Sequence, residues 1–203
     1  MIECMDRSLK FGASDTSQIM QSWDTKTFHD WWLVKAGILE NDNYQNKYID
    51  AGNRFEVPIL ESLGIEGMQY GTRVCWCDCE TLAVNLDGNT HDTIYEVKSV
   101  KLERAMDYPR KVPLGYWRQV QVQMLASGLR KSEIVPYGLI DSDYDNEYPA
   151  VFDIEAGRMF ETPVDYDEKF IAKYVPRLLY LSDCLTRGRH PDVSELELFN
   201  GGN

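Results

Sequence analysis

Apolar positions recur along this chain with three different textures, and each texture predicts a different element. Residues 11–17, Phe-Gly-Ala-Ser-Asp-Thr-Ser, end a turn and open a helix that Ser14 is placed to cap. Aromatic residues then crowd between Trp23 and Trp32. Over residues 47–63, Tyr48, Phe55, Ile59 and Leu63 return at helical spacing, with Pro58 expected to kink or restart the helix. From residue 72 to residue 100 the pattern becomes β-like. Strands are predicted over 72–79, 81–86 and 93–100, with a turn at Asp87-Gly88-Asn89, which makes an antiparallel meander. A helix over 115–129, strands over 134–140 and 150–154, and a helix over 165–186 kinked at Pro176 complete the series.

That order predicts one domain spanning residues 1–203, of α/β or α+β class, with a central mixed sheet flanked by helices. No repeat, linker or low-complexity tract interrupts it. No apolar run approaches the roughly 20 residues of a membrane span, and Met1–Asp6 is not a basic stretch leading into an apolar one. A soluble, cytoplasmic protein without a membrane partner is expected.

Charge narrows the functional classes. The formal net charge of -12 argues against a protein that coats nucleic acid with a uniformly basic surface. Between Lys98 and Arg118, however, Lys98, Lys101, Arg104, Arg110, Lys111 and Arg118 face only Glu103 and Asp107, a local charge of +4. Any DNA contact must use a local basic patch of this kind. The acidic run from Asp141 to Glu147 reads as a solvated loop. The five cysteines do not form a secreted disulfide framework and are read as thiols. Cys75, Cys77 and Cys79 fall at alternate strand positions on one face, a spacing that suits neither zinc nor an iron–sulfur cluster. His29, His91 and His190 form no ligand pattern.

The candidate chemistry lies in Ile94-Tyr95-Glu96-Val97-Lys98. A strand period of two puts Glu96 and Lys98 on one face and Tyr95 and Val97 on the other. Asp87, at the end of the neighbouring strand, can meet Glu96 across the hairpin, and two carboxylates form a hard oxygen site suited to Mg²⁺ or Mn²⁺. Glu56 sits on the preceding helix. On the helix over 115–129, Tyr116, Gln119, Gln123 and Ser127 form a polar stripe opposite Trp117, Val120 and Met124. An isolated Glu-x-Lys is commonly a surface ion pair, so these companions carry the case.

Together, Arg7 with Gly12-Ala13-Ser14, Gly52 to Glu56, Asn85-Leu86-Asp87-Gly88, Glu96-Val97-Lys98 and Tyr116-Trp117-Arg118-Gln119-Val120-Gln121 stand in the order and near the spacing of one family. The chain resembles the lambda-exonuclease family, or YqaJ-like viral recombinases, within the PD-(D/E)xK nuclease superfamily. The resemblance implies a restriction-endonuclease-like core, with Asp87, Glu96 and the Val97 carbonyl as metal ligands and Lys98 as the catalytic lysine. It makes Glu56 and Gln119 supporting site residues. Arg7 and Ser14 align with positions that hold a 5'-phosphate, and Lys101, Arg104 and Arg118 are further DNA-contact candidates. It also implies a magnesium-dependent 5'-to-3' exonuclease on double-stranded DNA ends, a homotrimeric ring, a single-strand annealing partner and, for a phage protein, the cytoplasm of a bacterial host. An endonuclease or nickase on the same site, and a noncatalytic DNA-binding protein of the same fold, are the alternatives.

Overall fold

A computed structural model describes residues 9–40, 46–144 and 154–200. A 3₁₀ turn, Ala13–Asp15, leads into α1 (Thr16–Met20), followed by α2 (Lys26–Lys35) and α3 (Lys47–Ser62). Three strands follow: β1 (Gln69–Cys75), β2 (Ala83–Asn89) and β3 (Thr93–Lys101). Short α4 (Leu102–Ala105) and long α5 (Leu114–Ser127) lead to β4 (Lys131–Leu139) and α6 (Asp141–Tyr144). The described chain closes with β5 (Thr162–Asp165), α7 (Glu168–Thr186) and α8 (Val193–Asn200).

The strands lie in the order β1-β2-β3-β4-β5. β1, β2 and β3 are the antiparallel meander read from the sequence. β3 and β4 run parallel, which requires a crossover that α4 and α5 provide. β5 returns antiparallel to β4. The sheet is therefore mixed, as predicted.

Two apolar layers cover its two faces. On one, Leu82, Val84, Leu86, Ile94, Ile134 and Val164 pack with residues from α1, α2, α5, α7 and α8, including Trp23, Phe28 and Trp32 of the aromatic-rich stretch. On the other, Tyr95, Val97, Val135, Tyr137 and Leu139 pack under Ala51, Phe55, Ile59 and Leu60 of α3. The strand alternation of β3 thus assigns Glu96 and Lys98 to the α5 side and Val97 to the α3 side.

Several local expectations change. Asp87-Gly88-Asn89 is strand, and the reversal falls three residues later, over residues 90–92. There Thr90 Oγ1 accepts from Thr93 N at 3.2 Å and donates to Asp92 at 2.9 Å, a side-chain-stabilised turn. Asp15, not Ser14, serves the start of the first helical segment: its Oδ2 accepts from Gly12 N at 2.7 Å, while Ser14 is exposed within the 3₁₀ turn. α3 and α7 run through Pro58 and Pro176 without ending. Each proline costs one backbone bond, and the buried apolar face around it holds the helix. β1 ends at Cys75, so Cys77 and Cys79 do not continue its face: Cys75 and Cys77 are exposed and Cys79 is buried.

The strand expected over 150–154 lies outside the described residues except for Ile154, which is not in a strand. β5 and α8 were not anticipated: β5 is four residues long and carries a proline, and α8 presents a weak apolar stripe. No helix among the described residues is long and apolar enough to cross a membrane.

Candidate active site

The centre of the candidate site is a split in the sheet. Backbone pairing between β2 and β3 is confined to Gly88 with Tyr95 and Asn89 with Ile94, after which the two strands diverge. On its other side β3 stays paired with β4 along its whole length. The side chain of Asp87 spans the split: its Oδ2 accepts a hydrogen bond from Val97 N at 2.9 Å. In an extended strand the N–H and C=O of one residue point to the same edge. The Val97 carbonyl therefore faces the same gap as Asp87.

Glu96 is 1% exposed. Buried carboxylates need partners, and this one has three. Oε1 accepts from Lys98 Nζ and from Gln119 Nε2, and Oε2 accepts from Gln123 Nε2 at 2.6 Å. Gln123 also donates to the Asn85 carbonyl of β2 at 3.1 Å. Gln119 and Gln123 are one helical turn apart on α5, so both reach the same carboxylate. The polar stripe read from the sequence thus faces the sheet. Lys98 Nζ lies 4.9 Å from the centre of the Tyr116 ring, a cation–π contact from the same helix face.

Charge in this cluster is unbalanced toward the negative. Burial, then the charges of Glu96 and Glu56, push the Asp87 carboxyl well above its ordinary value, against the pull of Lys98 and the Val97 N–H. Burial and then Glu96 raise Glu56 as well, with Lys98 opposing. For Lys98, burial works against the charged form, but Glu96 and Asp87 outweigh it and the net displacement is upward. Lys98 is therefore an ammonium at neutral pH. Asp87, Glu96, Lys98, Glu56 and Gln119 are brought together as the sequence pattern required.

Among the described residues, no three His, Cys, Asp or Glu side chains gather closely enough to hold a metal ion. The candidate donor set is smaller: the carboxylates of Asp87 and Glu96 with the Val97 carbonyl. It fits a hard divalent cation, because it is all oxygen and because the charges of Glu96 and Glu56 push the Asp87 carboxyl upward, a cost that a cation would offset.

The DNA-contact candidates are scattered. Lys101 and Arg104 are exposed where β3 runs into α4. Arg118 lies on the α7 side of α5, where its charge is felt by Arg177. Burial lowers the pKa of Arg118, and its Nε finds no hydrogen-bond partner. Ser14 is exposed, and Arg7 falls outside the described residues.

Two glutamines carry more of the site than sequence reasoning assigned to them. Gln123 joins Glu96 to β2, and its signal was the one-turn spacing from Gln119. Gln121 is fully buried on the same helix, donating to the Asp165 carbonyl and accepting from Asp167 N, both at 2.8 Å. It ties the β5–α7 junction to α5. Neighbouring apolar residues hid that role.

A mixed five-stranded sheet with helices on both faces, split where an aspartate meets a Glu-x-Lys strand, defines an α/β fold. No family model matches the chain, and no curated protein matches it in sequence. Solved structures do. The alkaline exonuclease LHK-Exo from Laribacter hongkongensis superposes with a TM-score of 0.70 at 16% identity, covering 95% of this chain and 93% of that one. Its complex with dAMP gives the same values. A phage-related exonuclease from Haemophilus somnus 129PT superposes with a TM-score of 0.60 at 16% identity, over 93% of this chain and 97% of that one. The chain shares its fold with these exonucleases over nearly its full length, in agreement with the lambda-exonuclease-like motifs.

Proposed function

We propose that the protein is a metal-dependent deoxyribonuclease acting as a 5'-to-3' exonuclease on double-stranded DNA and leaving 3' single-stranded tails for phage-type recombination. The observation that carries this reading is the bridge from Asp87 to Val97 N–H beside Glu96 and Lys98. It sets two carboxylates, a strand-edge carbonyl and an ammonium around one gap. Asp87, Glu96 and the Val97 carbonyl would hold Mg²⁺ or Mn²⁺. The bound cation would supply an acidified water and charge stabilisation at phosphorus.

The rest of the chemistry belongs to the chain. Gln119 and Gln123 hold the Glu96 carboxylate in one orientation, so little rearrangement is needed when substrate arrives. Lys98 brings a positive charge to the place where phosphate charge would develop. Glu56, whose carboxyl is displaced upward by burial and then by Glu96, would add a further carboxyl group beside this cluster. Lys101, Arg104, Arg110 and Lys111 would meet the DNA backbone through the locally basic segment, and the acidic remainder of the surface would oppose nonspecific coating. A homotrimer enclosing DNA and an annealing protein that receives the single strand belong to the same proposal.

The deciding assay uses linear duplexes labelled at either end, with and without 5'-phosphate, and a covalently closed circle, each incubated with Mg²⁺, Mn²⁺ or EDTA. The proposal expects release of nucleotides from the 5' end, dependence on the cation and an intact circle. Cutting of the circle would replace the exonuclease reading with an endonuclease. No cleavage in either cation would remove the nuclease reading.

A further inference from the structure

The connection from β3 to α5, residues 102–113, leaves the sheet three residues after Lys98 and returns at the helix that carries Tyr116. Arg104, Arg110 and Lys111 are exposed on it, beside the exposed Glu103 and Asp107, a net charge of +1. It has one aromatic anchor. Tyr108 is 3% exposed and stacks on Tyr116, with ring centres 6.0 Å apart and planes 26° from parallel. The two tyrosines also share a side-chain hydrogen bond, and the Tyr116 ring lies against the ammonium of Lys98, 4.9 Å from its centre, with Lys98 paired to Glu96. The order is thus Tyr108, Tyr116, Lys98, Glu96: a packed series from the connection to the carboxylate.

We propose that Tyr108 is a positioning residue for Lys98. It fixes the Tyr116 ring, and the ring fixes the direction in which the lysine side chain leaves β3. A lysine has several rotatable bonds and loses much rotamer freedom when held in one place. Glu96 can be reached from more than one lysine rotamer, whereas a ring beneath the ammonium narrows the set. Tyr116 is itself only half-buried, so its orientation depends on what covers it. Tyr108 is that cover. Because it sits between the exposed arginines and lysine of the connection, the placement of Lys98 is tied to the segment that would lie against phosphates. The catalytic consequence rests on the nuclease reading; the arrangement of the four side chains does not.

Two readouts separate these. In the first, cleavage of a linear duplex is compared for the wild type, Tyr108→Leu and Tyr108→Phe. Tyr108→Leu is expected to lower kcat about tenfold with KM for DNA within about twofold, since only the reacting geometry is lost. Tyr108→Phe, which keeps the stacked ring, is expected to restore kcat to within about threefold of wild type. In a Lys98→Ala background, Tyr108→Leu should add no further loss, because residues that act through one another are not additive. Multiplied losses in the double variant indicate general damage to the fold and overturn the proposal.

The second readout needs no activity. The ε-methylene resonances of Lys98, identified by their disappearance in Lys98→Ala, should carry the ring-current displacement of Tyr116 in the wild type and lose it in Tyr108→Leu. If Tyr108→Leu does not fold, Tyr108→Met, which fills more of the buried volume without a ring, serves the same comparisons. Unmoved Lys98 resonances overturn the proposal whether or not the protein cleaves DNA. A wild type that shows the displacement but cleaves nothing overturns only the nuclease reading.

Discussion

Gln123 and Glu96 meet in the interior between α5 and the sheet, with the glutamine Nε2 2.6 Å from the carboxylate Oε2. Both side chains are almost wholly removed from water. The same Nε2 donates to the Asn85 carbonyl across the split. A single amide therefore joins β2 to β3 where their backbone pairing has ended, and keeps Asp87, two residues beyond Asn85, opposite Val97. The split leaves strand-edge groups of β2 and β3 without backbone partners in each other, and Gln123 ties the two strands across it.

Replacing Gln123 tests that role. Gln123→Leu preserves much of the volume but removes a donor from a buried carboxylate, and hydrogen bonds to charged groups contribute about 1.5–3 kcal/mol. Denaturant unfolding is expected to show a loss in that range with an unchanged slope, and cleavage should fall with it. Gln123→Glu is expected to be worse, because it sets a second carboxylate against Glu96. Equal stability of wild type and Gln123→Leu would mean that the amide contributes nothing to the core.

Direct replacements at the centre should separate chemistry from folding. Asp87→Asn, Glu96→Gln and Lys98→Ala are each expected to lower the single-turnover cleavage rate by about 10²-fold or more, the scale of removing one preorganised electrostatic partner. Circular dichroism should remain native for Asp87→Asn. Near-normal turnover by Glu96→Gln in Mg²⁺ would exclude Glu96 from the reacting centre.

Gly138 offers a test of the frame around the site. A Cβ at this position would lie 2.4 Å from Leu102 Cδ1 and 2.8 Å from Leu102 Cα, so backbone as well as side chain would have to move. Leu102 opens α4 immediately after Lys101. Gly138→Ala is expected to destabilise the protein by about 1–3 kcal/mol, the usual range for overpacking, and thermal unfolding reads the change. Gly138→Ala with the unfolding temperature of the wild type would show that the α4 contact on β4 is not tight.

Strong local patterns made much of this architecture readable. The alternation around Glu96 and Lys98 gave their shared face, and the one-turn spacing of Gln119 and Gln123 gave theirs. The parallel pairing of β3 with β4 and the antiparallel return of β5 could not be read directly, since each depends on contacts distant in sequence. Asp87 was correctly placed near Glu96 but misread as a turn residue. Asp-Gly-Asn is a common turn signal, and here the hydroxyl of Thr90 moved the turn three residues onward. Arg118 was selected because of its charge, yet helix geometry carries it toward Arg177, away from the face that holds Gln119. Ser14 followed the ordinary preference for serine at a helix start, while the hydrogen bond is made by Asp15.

The last prediction concerns protons and the cation. Burial and the charges of Glu96 and Glu56 make Asp87 hold its proton to a higher pH in the folded chain than in the unfolded one. From the ordinary aspartate value, about 3.9, up to the raised native value, the native state therefore binds more protons than the unfolded state. Stability contributed by this group must fall as pH rises through that window. Glu56, displaced in the same direction, adds to the slope. A divalent cation bound to the ionised carboxylates acts oppositely, so its stabilising effect should increase with pH over the same interval. Unfolding temperatures measured in EDTA and in Mg²⁺ across about pH 4 to 8 test both signs. Other carboxylates titrate as well, and subtracting the curve of Asp87→Asn isolates the contribution of Asp87. In EDTA the wild type should lose stability relative to Asp87→Asn as pH rises, and added Mg²⁺ should recover that difference in the wild type far more than in the variant. A difference of the opposite sign in EDTA would show that Asp87 is stabilised as a carboxylate without a cation, and equal recovery by Mg²⁺ in both proteins would remove Asp87 from the metal site.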